Sequence, residues 1–239
     1  MPDGRKNISL EFANTAEWHA GPNPEERLTS YSSVVEWGRE KGIISHAQAE
    51  TLLARARANP RDEEAALRRA IALREAVYRI FSAVARQRLP QSADLETLNA
   101  EFVEASAHLR LVVAGGAEAE PGVDAELGAN AWPDHSGRPE FEWLWTDVDE
   151  HLTSILWPVA RAATTLLTSP DLARVRECAG DPCGWLFLDV SKNGSRRWCD
   201  MADCGNRAKA RRYRARQKGA ADRVAAATEG GATEVATSS

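Results

Sequence analysis

The four cysteines of the chain lie close together near its C-terminal end, in two pairs. Cys178 and Cys183 form the first pair, and Cys199 and Cys204 form the second after 15 intervening residues. Two thiolate pairs separated by a short insert are a typical ligand set for a tetrahedral zinc ion. We therefore predict one structural zinc ion per chain as a cofactor, with all four thiolates as its ligands.

The same four thiols could also bind iron or form disulfides. Iron, as a single ion or a cluster, uses the same soft ligands, and a secreted protein would form disulfides instead. The residues after Asn7 contain no apolar run of signal-peptide length, and no stretch reaches the roughly 18 apolar residues of a membrane span. We expect a soluble cytoplasmic protein with bound metal. Because four protein ligands leave no open position for water, we expect no enzymatic activity.

Charge is segregated along the chain, although its overall net charge is only −5. Residues 174–218 contain 12 Lys and Arg against 5 Asp and Glu, while the rest of the chain contains 18 against 30. The cysteine region is therefore cationic and the body acidic. Such an asymmetry indicates an anionic partner for the basic part, and nucleic acid is the most common one.

The residues around the cysteines predict a compact zinc module. Residues 184–190 are typical of a strand, Asn193-Gly194 of a tight turn, and residues 196–198 of a returning strand. A helix is expected to begin near Cys204. A knuckle, a hairpin, a second knuckle and a helix together describe a treble-clef zinc finger.

The helix after Cys204 is strongly basic. Steps of four, three and four residues place four of its cations on one face, and we expect the others to flank them. Cations on the hairpin would add contacts. The predicted nucleic-acid-binding residues are Arg196, Arg197, Arg207, Lys209, Arg211, Arg212, Arg214, Arg216 and Lys218. DNA phosphates are the expected partner, while RNA, an acidic protein or the acidic body of the same chain are the alternatives.

The preceding residues predict a mostly helical domain with a few strands. Helices are expected at 31–40, from Ser45, at 60–88, at 93–109, and from a cap at Asp147 or Asp149 to Leu167. Strands are expected at 110–114 and 140–145, and residues 8–13 fit either a strand or the start of a helix. The predicted fold class is α+β with a C-terminal treble-clef-like four-cysteine zinc finger.

These patterns divide the chain into three parts. Residues 1–170 form a domain, residues 171–218 the zinc finger with its basic helix, and residues 219–239 a tail whose composition predicts disorder. A loop rich in Gly, Ala, Pro and acid is expected at 115–139. Near the N-terminus, Asn14, Trp18 and His19 are candidates for binding a ligand.

Two groups of motifs resemble known families. Residues 183–189, 196–201 and 204–209, the last of which reads Cys-Gly-Asn-Arg-Ala-Lys, resemble the CGNR zinc finger. Residues 10–15 and 73–78 resemble the ABATE domain of stress-induced transcription regulators. The resemblance implies a bacterial DNA-binding regulator, associated with the nucleoid, whose N-terminal domain binds a small-molecule effector or forms a homodimer.

Overall fold

A computed structural model describes residues 7–114 and 140–230 of the chain. The predicted loop at 115–139 lies outside the described residues. Most of the described chain is helical, with three small antiparallel sheets, which confirms the α+β class. None of the described helices combines the length and the apolar character needed to cross a lipid bilayer.

The described residues of the first domain form six α-helices and two β-ribbons. The helices are α1 (Ile8–Ala13), α2 (Tyr31–Glu40), α3 (His46–Ala58), α4 (Pro60–Ala85), α5 (Ser92–Ala107) and α6 (Leu156–Leu167). One ribbon pairs β1 (Ala16–Glu17) with β2 (Glu25–Glu26), and the other pairs β3 (Leu109–Val113) with β4 (Phe141–Trp145). Residues 8–13 are thus a helix, and the strands predicted around 110–114 and 140–145 pair with each other.

Local sequence signals explain where several helices begin and end. Ser45 and Gln48 form the predicted reciprocal cap of α3, in which each side chain bonds the other's backbone amide, at 3.2 and 2.9 Å. Pro60 occupies the first position of α4, where its missing amide costs nothing. Gly42, with a φ of +68°, ends the turn after α2.

The helix expected from Asp147 or Asp149 differs from the prediction. Asp147 precedes a short 3-10 turn, Val148–Glu150, and α6 begins only at Leu156. The acidic side chains therefore do not cap it. Pro158 lies in the first turn of α6, where a proline removes no intrahelical bond.

The core of the first domain surrounds α4 and α6. Leu73, Val77, Ile80 and Phe81 of α4 are fully buried, and so is Trp157 at the start of α6. Burying these side chains supplies the main stabilisation of the domain.

The zinc module begins with a hairpin that the sequence did not predict. Strand β5 (Val175–Glu177) pairs with β6 (Leu186–Leu188), so the first cysteine pair lies in the connection between them. The predicted pairing of 184–190 with 196–198 was wrong, since residues 196–198 form no strand. The carboxylate of Asp189 instead accepts bonds from the amides of Ser191 and Arg196, at 3.0 and 2.9 Å, and closes this loop. The treble-clef arrangement therefore stays a prediction.

A long helix follows the second cysteine pair. A π-helical turn, Met201–Gly205, contains Cys204 and leads into α7 (Asn206–Gly230). The helix thus continues beyond residue 219, where we expected a disordered tail.

The hairpin β5–β6 is an integral part of the first domain's core. Val175 and Leu186 are buried in the same apolar cluster as the side chains of α4. The amide group of Asn14 donates to the carbonyl of Leu186 and accepts from its N–H, both at 2.8 Å. The two parts that meet at the predicted boundary, residue 170, therefore share one apolar core.

Gly184 lies close to the first domain. Its φ is +71°, and a Cβ there would lie 2.6 Å from the nitrogen of Ala20 and 3.0 Å from the hydroxyl of Tyr78. Only glycine tolerates both the backbone conformation and this contact.

We expect Gly184→Ala to destabilise the chain much more than Gly42→Ala. Gly42 has a similar φ of +68°, but a Cβ there would meet nothing within 4 Å. Both substitutions carry backbone strain of about 1–2 kcal/mol, and the clash at Gly184 adds about 1–3 kcal/mol. Urea unfolding of the zinc-loaded protein measures both. Equal losses of unfolding free energy would contradict the close packing of the module on the domain.

Candidate metal centre

The four cysteines come from three different pieces of local structure. Cys178 and Cys183 lie at the two ends of the turn between β5 and β6, which the hydrogen bond from the amide of Cys183 to the carbonyl of Gly180 closes at 2.5 Å. Cys199 lies in the following loop, and Cys204 lies in the π-helical turn before α7. The fold therefore brings together residues that are up to 26 positions apart in sequence.

The geometry of the sulfurs fits one tetrahedral ion. All four Sγ atoms lie within 4.8 Å of one another, and none forms a disulfide. Cys199 Sγ lies 3.7 Å from the sulfurs of both Cys183 and Cys204. Zinc–sulfur bonds of about 2.3 Å in a tetrahedron require sulfur–sulfur distances of about 3.8 Å. The donor set and its spacing fit a structural zinc ion, as predicted.

Backbone amides and one arginine compensate the negative charge of the sulfurs. The amides of Gly180 and Cys199 each donate to Cys178 Sγ at 3.4 Å, and Arg207 Nη2 donates to Cys204 Sγ at 3.1 Å. Hydrogen bonds of this kind orient metal ligands and stabilise their charged form.

The proton affinities of the thiols show why a cation is needed. Hydrogen bonds from Cys183 and Cys199 lower the pKa of Cys178, whose thiolate in turn raises the pKa of each of these neighbours. Four thiolates at this spacing cannot all be ionised unless a cation neutralises them. Zinc supplies that charge and displaces the remaining protons.

Arg207 joins the metal centre to the first domain. Its guanidinium also pairs with Asp203 at 3.1 Å and lies over the ring of Trp18, 4.6 Å from the ring centroid. Trp18 is therefore a platform for the arginine at the start of α7.

Three of the predicted nucleic-acid-binding arginines are engaged within the module. Besides Arg207, Arg196 donates to the carbonyls of Trp198 and Cys199, and Arg211 donates to the carbonyl of Asp181 at 2.5 Å. These bonds position the loops that carry the cysteines. The local sequence carries no signal for this role, because charge alone does not distinguish a guanidinium that binds carbonyls from one in solvent.

The other six predicted cations are exposed and have no acidic partner among the described residues: Arg197, Lys209, Arg212, Arg214, Arg216 and Lys218. At about 100° per helical residue, Lys209, Arg212 and Arg216 lie on the opposite side of α7 from Arg214 and Lys218. The expectation that they flank the first stripe was therefore wrong, and α7 is basic on two faces.

The three candidate ligand-binding residues are not brought together in one cavity. Asn14 bonds the backbone of Leu186, Trp18 packs on Arg207, and His19 bonds Glu75 at 3.1 Å and stacks on a tyrosine. Asn14 lines a cavity of about 540 Å³, whereas His19 lines a separate one of about 460 Å³. Their roles in ligand binding stay a prediction.

Comparison with known families agrees with the motifs. The family model of the CGNR zinc finger matches residues 174–217. A second family model, ABATE, described as "Putative stress-induced transcription regulator", matches residues 6–170. No curated protein matches the chain.

We expect purified protein to contain one zinc ion per chain, and Cys199→Ser to weaken its binding strongly. Because β5 and β6 complete the core of the first domain, loss of zinc should also lower the thermal midpoint of the whole chain. Metal analysis and calorimetry, with and without a strong chelator, measure the two effects. Unchanged zinc affinity in the variant would contradict the four-thiolate site.

Proposed function

The chain belongs to the ABATE family and carries a CGNR zinc finger, and from this premise we propose that it is a zinc-dependent, DNA-binding transcription regulator. The ABATE match spans more than half of the chain. In this proposal the zinc module holds the basic helix, and the first domain controls it by binding a ligand or by forming a homodimer.

DNA binding is supported by the exposed cations on a helix that begins at the metal centre. The segment from Lys209 to Lys218 contains ten residues, whose ends are about 14 Å apart along the helix axis. Five of the six exposed cations lie on this segment, and Arg197 adds a sixth from the neighbouring loop. Such charges are stable in solvent or against anions, but not in an apolar interface. A helix of this kind fits the major groove of DNA, which is about 12 Å wide.

Trp198 adds a flat aromatic surface beside these cations. The guanidinium groups of Arg197 and Arg212 lie 5.4 and 5.9 Å from its ring centroid. Contacts of this type hold the two arginines near each other from different parts of the module. We propose that this side of α7, with Lys209 and Arg216, contacts the phosphate backbone.

Arg207 lies over Trp18 of the first domain, but docking of the basic faces of α7 onto the acidic body through ion pairs finds no support in the described residues. Among the described residues, Arg207 of α7 forms an ion pair with Asp203, and both residues belong to the zinc module. The six exposed cations therefore keep their charge available for another molecule. An acidic protein and RNA are the alternative partners, and duplex DNA is favoured because it presents phosphates at regular spacing along a groove that accepts a helix.

We propose no catalytic activity for the chain. Its metal centre is saturated by four thiolates, so that neither water nor a substrate can bind the ion. The protein would act in the cytoplasm, at the nucleoid.

If about six phosphates are neutralised, the logarithm of the DNA affinity should fall with the logarithm of salt concentration with a slope near −5. Replacing Lys209, Arg212 and Arg216 with Gln should reduce the slope to about −3 and weaken binding at low salt. Fluorescence anisotropy on labelled duplex DNA over a salt series measures both quantities.

A matched control removes the same number of charges from the first domain. Arg57, Arg61 and Arg68 are exposed, so their replacement with Gln should leave the slope unchanged. Equal losses in both triple variants would show that binding follows total charge rather than α7. Tighter salt-dependent binding to single-stranded RNA or to an acidic protein than to duplex DNA would favour the alternatives.

A further inference from the structure

A second basic site lies in the first domain, on the side where the zinc module packs. A cavity of about 460 Å³ opens between the C-terminal end of α4, the start of α5 and the segment that contains His19. This volume is typical of small-molecule sites, which range over roughly 300–1,000 Å³. Its wall includes three arginines, Arg79, Arg86 and Arg88, but only one acidic residue, Asp94.

The hydrogen bonds of the arginines show which of them are available. Arg79 donates from Nε and Nη2 to the buried carboxylate of Asp94, at 2.8 and 2.6 Å. Arg86 uses the same two nitrogens for Glu177 of β5, at 2.8 and 2.6 Å, and keeps Nη1 for another acceptor. Arg88 is exposed and has no acidic partner among the described residues. The cavity thus has guanidinium donors left over after its internal ion pairs are formed.

Neutral groups in the wall also suit an anion. The hydroxyl of Tyr78, whose pKa burial raises to about 12, is an uncharged group in this wall. Helix α5 begins beside the cavity at Gln91 without any side-chain cap, and helix N-termini attract anions.

His19 provides an independent sign of a ligand. Its side chain is only 7% exposed, and its Nε2 atom bonds Glu75 at 3.1 Å. The other ring nitrogen, Nδ1, is buried and has no hydrogen-bond partner among the described residues. Buried polar atoms are seldom left unpaired, and a bound ligand in the cavity that His19 lines would give Nδ1 a partner.

Backbone strain lies at both sides of the same cavity. Trp18 precedes His19 with a φ of +54°, and Gln87, between Arg86 and Arg88, has a φ of +57°. Residues other than glycine seldom adopt these values, which cost about 1–3 kcal/mol. At Gln87 the left-handed residue is the usual end of a helix, and its amide bonds the carbonyl of Val84 at 2.9 Å. At Gln87 the turn lets the amide of Arg88 bond the carbonyl of Ala83 at 2.8 Å, which brings Arg88 back to the cavity.

We propose that this cavity binds a small anionic effector, held through a carboxylate or phosphate group by Arg86 and Arg88, and that the anion competes with Glu177 for Arg86. The inference rests on the ligand-sensing role proposed above for the first domain. Glu177 belongs to β5, and Ser82 of α4 also donates to it at 2.8 Å. An anion that draws Arg86 away weakens one of the links that hold the zinc module on the domain.

The direct test is titration of the zinc-loaded full-length chain with inorganic phosphate and with citrate, followed by calorimetry at constant ionic strength set with chloride. The two probes distinguish a phosphate group from a carboxylate. We expect saturable binding of one anion per chain. Arg88→Gln should weaken binding roughly ten- to a hundredfold, because it removes a charge-assisted contact. Arg57→Gln, which removes a distant exposed charge, should not change it.

Two outcomes would overturn the site: no saturable binding of either probe up to millimolar concentration, or equal affinity in Arg88→Gln and Arg57→Gln. Since Arg88 has no partner in the described fold, its replacement should not impair folding, and circular dichroism checks this.

The competition has its own test. Glu177→Gln keeps an acceptor for Ser82 but removes the charge that holds Arg86, so it should raise the anion affinity several-fold. An unchanged affinity would overturn the competition with Glu177.

Measurements with DNA separate this inference from the proposed function. The anion that binds in calorimetry should lower DNA affinity in the wild-type chain but not in Arg88→Gln, at constant ionic strength. If the anion binds and the chain has no affinity for DNA, the anion site stands and the proposed function fails. If the chain binds DNA but neither anion, the proposed function stands and the anion site fails.

Discussion

The concentration of negative charge on four sulfurs is the constraint on which the rest of this structure depends. Thiolates held within 4.8 Å of one another repel strongly, and among the described residues amides and Arg207 donate hydrogen bonds to them. A divalent cation removes that repulsion, and zinc binding in small modules is worth about 10–16 kcal/mol. The loops that carry Cys199 and Cys204 pack against a small apolar cluster with Phe187, Trp185 and Trp198, and the ion adds the larger constraint on their arrangement.

The effect of the metal reaches further than the module, because the first cysteine pair lies on a hairpin that belongs to the core of the larger domain. Leu186 is buried in that core, and its backbone is bonded on both sides by the amide of Asn14. Glu177 adds an ion pair to Arg86 of α4. The ABATE and CGNR parts of the chain are therefore packed together through a shared apolar core, backbone hydrogen bonds and an ion pair.

The basic residues divide into two groups with different physical roles. Arg196, Arg207 and Arg211 donate to carbonyls and to a sulfur inside the module, so they hold its loops. The exposed cations of α7 have no acidic partner among the described residues and can neutralise another molecule. A single stretch of sequence thus both builds the module and gives it its charge.

Much of this arrangement could be predicted, and the exceptions have physical causes. The cysteine spacing predicted the metal site because ligand geometry is local, and the cap at Ser45 predicted the start of α3 for the same reason. The hairpin β5–β6 was missed because Val175–Glu177 is too short to show a period. The loop after β6 was predicted as a second strand pairing, but the carboxylate of Asp189 closes it by accepting hydrogen bonds from two backbone amides. The roles of Arg196, Asn14 and Glu177 depend on partners far away in sequence, which no local pattern reveals.

The burial of Val175 and Leu186 among the side chains of α4 has a consequence for the order in which the chain is made. A ribosome releases residues 7–170 first, and at that moment part of the apolar surface of α4 still lacks its cover. The domain reaches its final packing only after residue 188 has left the exit tunnel, and the metal can close its site only after Cys204 has followed. The nascent protein therefore passes through a stage with an incomplete core, in which association with chaperones or with other nascent chains competes with native folding.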